Sequence, residues 1–61
     1  MAVRVKCFDE EHELDLEQAM NGFLAGLKDE AIVDIKFSVS HFSDGDQQVF
    51  SYSAMVVYRK E

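Results

Sequence analysis

One cysteine in 61 residues, Cys7, excludes an internal disulfide and fits a reducing compartment. The two histidines, His12 and His41, lie far from it and from each other, so no zinc-ligand spacing is present. No apolar run approaches the roughly 18 residues that a membrane span requires, and the N-terminus lacks the apolar core of a signal peptide. Basic residues are scarce: six stand against twelve acids, for a net charge of -6. That balance argues against general binding to DNA, RNA or an anionic membrane, although a local basic patch can still hold a small anion. A glycine-rich phosphate-cradling loop is also missing. The expectation is a cytoplasmic protein without a metal or cofactor.

The chain is also short. Residues 1–61 make one small domain, and a single core of this size rarely supplies more than about 3–5 kcal/mol. With disulfide and metal excluded, self-association is the remaining stabiliser, and a hydrophobic content of 48% supports it. A homo-oligomer, most simply a dimer, is expected.

Ala2 to Phe8 reads as a strand, with Val3, Val5 and Cys7 on one side and Arg4, Lys6 and Phe8 on the other. Cys7 is expected to be a small buried hydrophobe on the inward side. The run Asp9 to Glu17 then gathers six of the twelve acids. It has no EF-hand pattern and reads as a solvated helix start matched to the helix dipole. His12 within it is expected to be a surface residue or a first-turn contact. Asp15 and Gln18 have the spacing of a capping box, with Leu14 and Ala19 as a hydrophobic staple. Leu16, Ala19, Met20, Phe23 and Leu27 recur at helical spacing, which predicts a helix over 16–28, extending a turn or more toward the N-terminus. Gly22 and Gly26, four apart, would let another backbone approach, either that of a second subunit or that of the chain's own sheet.

Val33, Ile35, Phe37 and Val39 alternate with polar residues, and Phe50, Tyr52, Ala54, Val56 and Tyr58 do so in opposite phase. Ser43-Asp44-Gly45-Asp46 between them is a turn signal, so strands are expected over 31–42 and 47–59. Setting Phe42 against Gln47 pairs Val39 with Phe50, Phe37 with Tyr52, Ile35 with Ala54 and Val33 with Val56, apolar against apolar. The fold class that follows is α+β: one β-α-β-β domain, a three-stranded sheet with one helix packed on one face. The first strand is expected beside the last and antiparallel to it, with a place beside the second strand as the alternative.

The sheet face away from the helix is the candidate site. It is expected to carry Lys36, Ser38, Ser40, Ser51, Ser53, Met55 and Arg59, joined by Arg4 and Lys6, so that four of the six bases share one face of an acidic protein. Arg4, Lys6, Lys36 and Arg59 would hold the phosphate of a nucleotide-derived small molecule. Ser38, Ser40, Ser51 and Ser53 would orient it, and Phe8 or Phe42 would stack a base. The competing reading of the same face is a subunit interface, because it also shows Ile32, Phe42, Val49, Met55 and Val57. Neither histidine is expected near the serines, with His41 at a strand end on the inward phase. No nucleophile, base and acid therefore come together, and an enzyme is not expected.

Val5-Lys6-Cys7-Phe8-Asp9-Glu10-Glu11-His12-Glu13 resembles the opening of a family of very small sporulation proteins from Gram-positive spore-formers and their phages. The similarity continues through Asp15-Leu16-Glu17, Asn21, Phe23-Leu24, Asp34-Ile35-Lys36, and Phe50-Ser51 through Ser53-Ala54-Met55-Val56-Val57-Tyr58, so it spans essentially the whole chain. The resemblance implies expression during development and does not imply a chemistry. By analogy of size and architecture, short phage proteins of this kind resemble sponges that sequester nucleotide-derived immune signals in a host cell. The alternative is a protein–protein adaptor in sporulation or phage development, using the same face or the acidic helix. Dodecins also set a helix over a three-stranded sheet, but they sandwich flavin with a tryptophan, and this chain has none.

Overall fold

The computed structural model describes residues 2–60. Strand β1 (Ala2–Glu10) leads into helix α1 (Glu13–Leu24), a single 3-10 turn (Asp29–Ala31), and the long strands β2 (Ile32–Asp44) and β3 (Gln47–Lys60). The sheet order is β1-β3-β2, with both neighbouring pairs antiparallel. The predicted β-α-β-β arrangement and the place of β1 beside the last strand both hold.

The helix begins about a turn before Leu16, as expected, but stops at Leu24, short of the Lys28 end that its apolar stripe suggested. His12 takes the N-cap position, and its carbonyl accepts from the Leu16 amide at 3.1 Å; no side chain caps the end. Glu13 and Asp15 therefore sit inside the first turn, where the dipole favours acids. Asp15 is helical and cannot be the cap, so neither the Asp15–Gln18 box nor its staple forms, and Leu14 is left 65% exposed. At the other end the Ala25 amide closes onto Asn21, and Lys28 lies beyond the helix. Gly22 has open space where a side chain would be, so it is not a point of close approach to the sheet.

The hairpin turns more tightly than expected. Only Gly45 and Asp46 lie outside the ladder, with Asp44 opposite Gln47. Gly45 has φ of +63°, and no other described residue has positive φ, the pattern of a II′ turn with glycine at its first central position. The two-residue loop matches strand twist better than a four-residue one, and it moves the register by two. Val39 faces Tyr52, Phe37 faces Ala54 and Ile35 faces Val56. Because a shift of two preserves the side-chain faces, the apolar stripe stays together. At the start of β2 an irregularity between Ile32 and Asp34 removes Val33 from its predicted pairing and brings Ile32 opposite Tyr58, on the helix side.

The core lies where α1 crosses β3: Leu16, Ala54 and Val56 are the buried apolar residues. Phe23 of α1 meets the Phe8 ring edge-on at 5.8 Å and the Tyr58 ring at 5.3 Å. These contacts put the even residues of β1 under the helix, the reverse of the expected orientation. The molecule measures 48 × 18 × 11 Å, whereas a 12-residue helix spans only about 18 Å. Most of the hairpin therefore has no helix above it.

Candidate functional site

The reversal of β1 redistributes the predicted site. Residues paired across an antiparallel ladder share a face, and Arg4, Lys6 and Phe8 pair with Tyr58, Val56 and Ala54, all on the helix side. Burying the Phe8 ring between β1 and Phe23 outweighs covering Cys7, since an aromatic side chain removes far more apolar surface from water. Lys6 lays its stem along that side, with its ammonium 5.7 Å from the Phe8 ring centre. Arg4, Lys6 and Phe8 are consequently separated from the serines by the thickness of the sheet. Cys7, expected inside, is exposed on the open face.

The remaining seven predicted residues share the open face. They form consecutive cross-strand rows: Val3 beside Arg59, Val5 beside Val57 and Asp34, Cys7 beside Met55 and Lys36, and Asp9 beside Ser53 and Ser38. Ser51 beside Ser40 and Val49 beside Phe42 complete the series. The face is thus apolar toward the chain's N-terminus, hydroxylic at its centre and apolar again near the turn.

Its charges are locally answered. The Lys36 ammonium lies 3.1 Å from the Asp34 carboxylate. The Lys36 hydrogen bond, the Ile35 amide donating at 2.8 Å, and the Lys36 charge together hold the Asp34 carboxyl below its ordinary range. Ser51 and Ser53 both donate to Asp9, at 2.7 and 3.2 Å, and Arg59 reaches the backbone carbonyl of Glu30 at 3.3 Å. From the sequence, Asp9 reads only as one of the acids before the helix. Once the strand runs to Glu10, the period-2 phase of β1 places it with the serines. Two bases and two acids therefore occupy the rows from Arg59 to Phe42, instead of the four bases expected.

The concavities differ in charge: one of about 310 Å³ beside Arg59 is lined by Lys28, Glu30 and Lys60. A shallow depression of about 420 Å³ lies among Cys7, Lys36, Ser38, Ser53 and Met55. A larger one, about 650 Å³, lies between the helix start and the turn and is lined by Glu11, His12, Glu13 and Asp15, an acidic setting that repels anions. His41 sits on the helix side with its ring 4.7 Å from that of Phe50. Among the described residues no group of three or more His, Cys, Asp or Glu is placed to hold a metal ion. Among them, too, no helix is long and apolar enough to cross a membrane.

A family model described as sporulation protein Cse60 matches residues 2–60. The curated sporulation protein cse60 of Bacillus subtilis (strain 168) is 46% identical over 59 residues, covering 95% of this chain and 98% of the relative. No solved structure matches the chain.

Proposed function

The chain belongs to the Cse60 family of sporulation proteins, and from that premise we propose that it is a non-enzymatic adaptor that binds another protein through the open face of its sheet. The observation that carries this reading is the neutrality of that face in a chain of net charge -6. Val3, Val5 and Phe42 on it are 66%, 56% and 57% exposed. Two exposed apolar patches joined by hydroxyls, with the charges between them cancelled, are what a protein partner can cover without stranding an ion, and interface centres are depleted in unpaired charge. Site-specific photocrosslinkers at Val5 and Phe42 in sporulating cells should give a discrete adduct, and one at Glu17 on the helix should not. Adducts from Glu17 with none from the open face would move the partner to the helix, and none from either position would refute the adaptor.

A second reading keeps the same face and changes the occupant to a nucleotide-derived small molecule, as in a sponge. It is favoured by one arrangement: Ser38 and Ser53, and Ser40 and Ser51, are direct cross-strand pairs, so four hydroxyls form a compact patch beside Lys36. A sequestering protein purified gently should carry a few hundred daltons of extra mass in native mass spectrometry. It should also gain about 2.7 kcal/mol of stability at a hundredfold excess of ligand over Kd. Clean apo mass and an unchanged melting curve against a nucleotide extract would leave the adaptor as the function.

A further inference from the structure

The helix packs on β1 and β3 and leaves β2 largely uncovered on the same side, where Ile35, Phe37 and Val39 are 44%, 64% and 51% exposed. β2 is also an edge strand of 13 residues, paired with β3 along one side only. Edge strands in monomers are normally short, or are blunted by charges, prolines or bulges that stop another strand from adding on. The opposite edge follows that rule: β1 carries Arg4, Lys6, Asp9 and Glu10 in nine residues. β2 does not. Its bulge is confined to the first residues, Lys36 is tied to Asp34, and Phe37 to Ser43 contain neither a formal charge nor proline.

The occupant that fits such an edge is a second copy of this chain, on three grounds. A copy carrying -6 charge is repelled by most of this surface, and the Phe37–Ser43 segment is where that repulsion is weakest. The strand is also self-complementary when reversed. Finally, the accessible surface of 4824 Å² exceeds the about 4,000 Å² expected of a folded 7.0 kDa monomer by about 800 Å², the share one partner contributes to a standard interface.

We propose that two copies pair β2 with β2, antiparallel, about a two-fold axis through Phe37, to form one continuous six-stranded sheet. In that register Phe37 lies against the partner's Phe37, and Ile35 lies against the partner's Val39. Lys36 and Asp34 lie against the partner's Ser38 and the partner's Ser40, so no like charges oppose. The doubled apolar strip runs beside the groove that Phe37 forms with Met20 and Leu24 of α1. This dimer leaves the open face untouched and does not rest on the adaptor reading.

Size-exclusion chromatography with light scattering on the whole chain should give twice the chain mass, and Phe37→Lys should give the monomer mass with its circular dichroism retained. Amide hydrogen exchange on the wild-type protein supplies a second readout that needs no variant. The paired edge protects every consecutive amide from Phe37 to Phe42, whereas a free edge protects only alternate ones. A wild-type monomer across a wide range of protein concentration would overturn the proposal, as would an oligomer whose β2 amides stay alternately unprotected.

Discussion

The rings of Phe8 and Phe23 meet edge-on at 5.8 Å, and that contact decides which side of β1 lies under the helix. Phe23 also reaches Tyr58, so one helical aromatic holds both covered strands. Everything on the open face, from the exposure of Cys7 to the hydrogen bonds at Asp9, follows from this choice.

Phe8→Ala should therefore be among the most destabilising single changes in β1. A fully buried Phe→Ala costs about 3–5 kcal/mol; Phe8 is half-buried, so about 2 kcal/mol is expected. Cys7→Ser, on the exposed side, should stay within about 0.5 kcal/mol. Urea unfolding of the two variants measures both, and the opposite ranking would show that β1 presents its other face to the helix.

At the hairpin turn, Gly45→Ala should cost about 1–2 kcal/mol, purely from backbone conformation. A side chain there would touch nothing within 4 Å, while φ of +63° is a region that only glycine adopts freely. Gly45→Asn should recover part of the loss, since asparagine tolerates this region better than alanine. Thermal unfolding distinguishes the three proteins, and equal stability of the wild type and the Gly45→Ala variant would exclude the II′ turn.

Gly22→Ala should stabilise the protein by about 0.5–1 kcal/mol, because the helix interior gains propensity and the added methyl meets open space. It should leave the oligomer mass unchanged, since the proposed interface is β2. Loss of the dimer in this variant would instead assign the interface to the helix.

Lys36→Met should raise the Asp34 titration midpoint toward that of an ordinary aspartate, as followed by carboxyl NMR. The largest cause of its lowered value is the hydrogen bond from Lys36, followed by the Ile35 amide and the Lys36 charge. A carboxyl lowered by folding favours the native state above its unfolded value, and that contribution is lost as pH falls through the lowered folded value. Acidification through that range should loosen the Asp34–Lys36 contact in the wild type and have no such contact to loosen in the variant. An unmoved Asp34 midpoint would mean that the 3.1 Å pair does not persist in solution.

The hairpin was legible because two strands alternating in phase have few ways to bury one face, and an even error in register keeps that face intact. The error itself came from the turn. Ser43-Asp44-Gly45-Asp46 reads as a four-residue loop by composition, but one glycine with positive φ makes two residues suffice. The orientation of β1 was not legible. Val3, Val5 and Cys7 outnumber Phe8 as apolar residues, and counting favours them. Only a helix short enough to cover part of the sheet makes one well-placed aromatic outweigh three smaller side chains.

Composition and periodicity by themselves determined the element order, the α+β class and the apolar stripe of the hairpin, because burial of alternating and helical patterns is a local constraint on side-chain direction. Tertiary structure alone decided which bases share a face, how Asp9 and Asp34 neutralise that face, and which strand edge is left open. Those depend on where a 12-residue helix comes to rest on the sheet of a molecule 48 Å long, and that resting place is set by contacts between residues far apart in the chain.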